Sequence, residues 1–162
     1  MIPHLNFTEA QSTAANEAWG ANCGPHALAA ALDIGLEFAR ALMPGFEARG
    51  FTNPTMMGIA LTIGMAGKGF QLDKNLYTSE LREGICRVQW EGPWLRHPMA
   101  SYAHTHWIAV VGDYVYCTAC GFGWQSQELW RLQIAKLCRE NGYDGWHITH
   151  RYQFPSPAGG DF

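Results

Sequence analysis

Charge is scarce in this 162-residue chain: Asp, Glu, Lys and Arg make up 15% of it, with 14 acidic residues against 11 basic ones. No Lys/Arg-rich stripe occurs, so the electrostatic footprint that a phosphate backbone demands is missing, and nucleic acid is not an expected partner. No apolar run approaches the ~20 residues of a membrane span, so no membrane partner is expected. The first residues lack the basic-then-apolar pattern of a secretory signal. Cysteines number five, an odd count without the spacing of a disulfide scaffold, so a reducing cytoplasm is the expected compartment. Repeats and linkers are lacking too, and only the tail after Phe154 is Pro/Gly-containing. A single domain over residues 1–162 is expected, with 48% apolar residues and seven tryptophans to build its core.

Against this plain background, WGANCGPHALAAAL at residues 19–32 stands out as a loop that ends in a cysteine and runs into a helix-forming stretch. Cys23 falls at the first helical turn, where unpaired N–H groups and the positive end of the macrodipole favour a thiolate. Pro25 is tolerated there because its missing N–H has no intrahelical partner to lose. Gly24 leaves the sulfur approachable. The bland alternative is a small apolar residue at a helix start. The sharper reading is a nucleophile, readily alkylated near pH 6.

A nucleophilic cysteine needs a proton acceptor. In HTHWIAVVGDYVYCTACGFGW, His106 opens an apolar strand from Trp107 to Val111; Gly112-Asp113 turns the chain, and Tyr114 to Cys117 returns. A histidine at the mouth of a central strand is suited to face a cysteine at a helix tip, so Cys23 and His106 are the expected catalytic pair.

An NCGP-type cysteine opening an Ala-rich helix, followed by an HW-apolar strand and hairpin, resembles the papain-like cysteine peptidase fold. It is most similar to compact bacterial and phage branches such as the bacteriocin-processing C39-like peptidases. The similarity spans roughly residues 16–122, and the stretches WEGPW and GWHITH resemble uncharacterised phage and prophage proteins. The resemblance implies an α+β fold with a nucleophile helix packed on an antiparallel sheet. It also implies cofactor-free cleavage of a peptide or isopeptide bond in a peptide or protein substrate. Such enzymes place a Gln ahead of the cysteine to hold the oxyanion; here Asn16 and Asn22 are the side-chain amides available. The residue expected to orient the imidazole falls near Cys117 or Thr118, neither of which is a carboxylate or an amide.

Two other readings stay open. A binding protein on the same scaffold, its third catalytic residue lost, could block a host factor. Alternatively His104, His106, Cys117 and Cys120 could form a tetrahedral zinc site across the hairpin, which would withdraw His106 from Cys23.

Periodicity predicts helices over residues 9–18, 24–42 and 54–66, with Asn53 capping the last, and a helix after Ser126 running to Asn141. Strands are predicted over 69–73, 85–91, 105–111, 114–119 and 145–154. The final strand alternates Trp146, Ile148, His150, Tyr152 and Phe154 against His147, Thr149 and Arg151, which sets His147 and His150 on opposite faces. His26 reads as a support for Cys23, Glu91 and Asp144 as surface carboxylates, and Cys86 and Cys138 as core.

Overall fold

The computed structural model describes residues 1–155. Its first half is helical: α1 (Glu9–Ala18), α2 (Cys23–Leu32), α3 (Leu36–Leu42), α4 (Phe46–Arg49) and α5 (Pro54–Gly64). Thr8 and Gln11 close a reciprocal capping box on α1, and the Asn53 side chain accepts the Met56 N–H to start α5. The single helix expected over 24–42 is instead two. Asp33 adopts a left-handed conformation, φ 56°, which ends α2, and its carboxylate holds His4 Nδ1 at 2.7 Å. Asp tolerates that backbone better than most residues, which is why no glycine marks the break.

The second half is a sheet of β1 (Gln71–Asp73), β2 (Gly84–Glu91), β3 (Thr105–Val111), β4 (Tyr114–Tyr116), β5 (Trp124–Ser126) and β6 (Gly145–Gln153). A short α6 (Pro98–Ser101) precedes β3, and α7 (Gln127–Asn141) joins β5 to β6. The strands lie in the order β1-β6-β2-β3-β4-β5, and every adjacent pair is antiparallel. The fold is therefore α+β with an antiparallel sheet, as predicted. The strand expected over 114–119 stops at Tyr116, because residues 118–120 curl into a 3-10 turn before β5.

Two hydrophobic clusters occupy the two sides of the sheet. Ile85, Trp107, Ala109, Tyr116 and Tyr152 pack with the helices α1 to α5; Cys86, Val88, Ile108, Val115 and Ile148 pack with Trp130, Ile134 and Cys138 of α7. The register explains the sorting. Arg87 pairs with Trp107 and Gln89 with Thr105, so these four share the α2 side, while Val88 pairs with His106 on the α7 side.

The expected alternation of β6 fails at one point. Arg87 pairs with His150 but Val88 pairs with Ile148, so Thr149 is an extra residue in a β-bulge. Ile148 consequently faces α7, while His150 and Tyr152 face α2. Gln89 pairs with His147, so His147 and His150 lie on the same face, not on opposite ones.

Candidate functional site

Cys23 is the first residue of α2 and lines a cleft of about 810 Å³ between the 51–55 segment and the sheet. Thr52, Arg87, Thr105, Trp107 and His150 line it as well. The 51–55 segment is held down from both sides. The Trp107 indole donates to the Thr52 carbonyl at 3.0 Å, and Gly24 packs so tightly that a Cβ there would stand 2.0 Å from Thr52 Oγ1. Gly24 thus admits Thr52 to the helix start, a closer role than simply uncovering the sulfur.

Burial pushes the Cys23 thiol above its ordinary range. The N–H groups of Trp107, Cys23 and Gly24 and the charge of Arg87 pull the other way without prevailing. The helix start does exert the expected effect, but desolvation outweighs it, so the resting group is a thiol and ready alkylation near pH 6 is not expected.

His106 is not brought to Cys23. It lies on the α7 side of β3, 9% exposed, with Nε2 3.3 Å from the Cys117 sulfur and its ring tilted against Trp90. Its neighbour Trp107 points to the opposite face, because successive side chains on a strand alternate, and lines the cleft with Cys23, whose sulfur meets the Trp107 backbone N–H. The oxyanion candidates also fall elsewhere. Asn16 is exposed on α1, and the Asn22 amide donates to the Gly20 carbonyl at 2.9 Å. His26, fully buried, is held by Ser12 Oγ at 2.9 Å and the Asn22 carbonyl at 3.0 Å, and stacks on Tyr116. It anchors α2 to α1 and does not face the cleft.

The histidine in the cleft is His150, placed there by the bulge. Its Nδ1 lies 2.9 Å from Thr149 Oγ1, which also accepts from Arg87 Nη1 at 3.2 Å and approaches the Arg87 carbonyl at 3.5 Å. A hydroxyl has one hydrogen and two lone pairs. If the hydrogen goes to the Arg87 carbonyl, both lone pairs are filled by Arg87 Nη1–H and His150 Nδ1–H, and Nε2 is left unprotonated. Burial, together with the positive charges of Arg87 and Lys74, lowers the His150 pKa to about 4, so the ring is neutral at pH 7.

The zinc arrangement does not form. His104 gives Nδ1 to the Ala100 carbonyl at 3.0 Å and stacks on Trp94 at 3.8 Å, apart from His106 and Cys117. Among the described residues, no group of three or more His, Cys, Asp or Glu is arranged to hold a metal. Glu91, expected at the surface, pairs with buried His147 at 2.7 Å beneath Tyr77, whose ring stacks on His147 at 4.1 Å.

Arg87, Thr149 and His150 were missed by the sequence reading. The available signal was an excess of polar residues in strands that are otherwise apolar, CRVQWE in β2 and HITHRY in β6. Polar side chains on a buried sheet face need partners or a cleft. Among the described residues, no helix is long and apolar enough to cross a membrane. Comparison with protein-family models, curated proteins and solved structures gives no match.

Proposed function

We propose that this protein is a papain-like cysteine hydrolase acting on amide bonds of a peptide or protein, with Cys23 as nucleophile and His150 as its general base. The observation carrying this reading is the joint placement of Cys23 and a neutral His150 on one cleft. Cys23 attacks the carbonyl as His150 Nε2 takes its proton; the same proton is then delivered to the leaving amine. Thr149 acts as the orienting residue, since its hydroxyl fixes the imidazole tautomer as a carboxylate or amide does in related triads. The N–H groups at the start of α2 supply the oxyanion contact that Asn16 and Asn22 do not. Packing of α2 against β3 supports the papain-like arrangement. The phage or prophage setting rests on sequence resemblance alone.

The test is digestion of a peptide library with new termini read by mass spectrometry. Wild type and His106→Gln are expected to cut, whereas Cys23→Ala and His150→Gln lose at least 10²-fold in rate. Cutting that survives His150→Gln removes His150 from the mechanism. A folded wild-type protein producing no Cys23-dependent termini favours the binding-protein reading, which the raised Cys23 pKa supports.

A further inference from the structure

The α7 side of the sheet holds a second thiol cluster that the cleft chemistry does not use. Cys117 ends the β4 strand path and Cys120 closes the following 3-10 turn, with the Cys120 N–H donating to the Cys117 carbonyl at 3.0 Å. A turn closed in this way holds its end Cα atoms within about 7 Å. A disulfide spans about 4.4–6.8 Å between Cα atoms, so the turn can accept one with small adjustment. Cys117 is buried at 3% exposure, whereas Cys120 keeps part of its surface open. The Cys117 sulfur sits between Cys120 and His106 Nε2, the latter 3.3 Å away. Gly121 and Gly123 follow with φ of 107° and 103°, backbone conformations that favour glycine and turn the chain away after Cys120.

We propose that Cys117 and Cys120 are a redox-active dithiol that exchanges with disulfides of small thiols, with His106 as the proton acceptor for the buried thiol. The hydrogen bond from Cys117 lowers the Cys120 pKa, and the same contact with burial raises that of Cys117. Cys120 is therefore the attacking group and Cys117 the resolving one. The Cys120 thiolate, its proton released to water, attacks one sulfur of RSSR; that S–S bond breaks and RS⁻ leaves with a proton from water. Cys117 then attacks Cys120 Sγ in the mixed disulfide while its own proton passes to His106 Nε2. The second RS⁻ departs and takes that proton from His106. The dithiol has lost two electrons and two protons, and RSSR has become two RSH.

The experiment equilibrates the reduced, full-length protein with glutathione disulfide, then maps free and oxidised cysteines by differential alkylation and peptide mass spectrometry. Wild type is expected to lose two hydrogens on the peptide carrying both cysteines, with no lasting glutathione adduct. Cys117→Ser should trap glutathione on Cys120, and Cys120→Ser should lose the adduct, since the buried Cys117 cannot attack first. His106→Gln should slow the second step by about 10²-fold, so that glutathionylated Cys120 accumulates. A folded wild type whose Cys117 and Cys120 both stay alkylatable overturns the proposal, as does glutathione accumulating on Cys120 of wild type. His106→Gln resolving at the wild-type rate overturns the role of His106. Digestion of the peptide library is read separately, so failure here leaves the Cys23 reading standing and the reverse.

Discussion

Gly24 shows how much one missing side chain can position. A Cβ at this residue would sit 2.0 Å from Thr52 Oγ1 and 2.5 Å from Thr52 Cβ, and the latter cannot swing aside. Gly24→Ala should therefore cost about 1–3 kcal/mol, the range of an overpacked site. Urea denaturation reads the loss, and adding Thr52→Gly should recover most of it; a loss that persists in the double variant points to the helix backbone instead. Residues of this kind were partly legible. Cys23 could be found because a helix start leaves a local sequence signature of turn, cysteine and Pro25. The proposed partner, His150, could not, because which face of a strand a histidine occupies depends on pairing with residues some sixty positions away in Arg87 and Val88.

Among the elements, β6 carries the decisive irregularity. The bulge adds Thr149 between Ile148 and His150, yet those two residues sit opposite consecutive residues of β2. Deleting Thr149 therefore leaves a regular antiparallel pair with Ile148 and His150 on their present faces. The deletion variant is expected to fold with a native far-UV spectrum and cooperative melt while losing the hydroxyl that holds His150. A collapse of the cooperative transition would show that the bulge itself sets the register. Regular elements such as α7 were readable, since Ser126 caps it, Gly142 ends it with φ 72° and Trp130, Ile134 and Cys138 share its buried face. The bulge was not, because a period-2 pattern extrapolates straight through a single inserted residue. The break at Asp33 escaped for a related reason, as both flanking segments are good helix formers.

For the molecule as a whole, buried histidines on both sides of the sheet set its response to acid. His106 and His150 are each lowered from 6.5 to about 4, mainly by burial. A histidine with a depressed folded pKa binds its proton more readily when unfolded. Its contribution is intact above pH 6.5 and is lost as pH falls toward 4. His106 alone should account for roughly 3 kcal/mol across that window, and the more exposed His150 for less. Urea midpoints measured between pH 7 and pH 4 should fall steadily, and His106→Gln should flatten the slope; a flat wild-type profile would contradict neutral burial. The α+β class and the two helical regions flanking the strands were legible from periodicity at this scale. The short β5 and the turns around α6 were not, since such brief segments are fixed by tertiary pairing rather than by their own pattern.

The alternation of β3, where Trp107 meets Cys23 and His106 meets Cys117, makes the sheet a partition between two thiol compartments. Cys23 belongs to one hydrophobic layer and Cys117 and Cys120 to the other, with a continuous hydrogen-bonded wall between them. Cross-linking the layers would need Cα atoms within about 7 Å on opposite sides of intact strands, which side chains this short cannot reach around. Oxidation of the folded molecule can thus close a bridge within one layer but cannot tie Cys23 to Cys117 or Cys120.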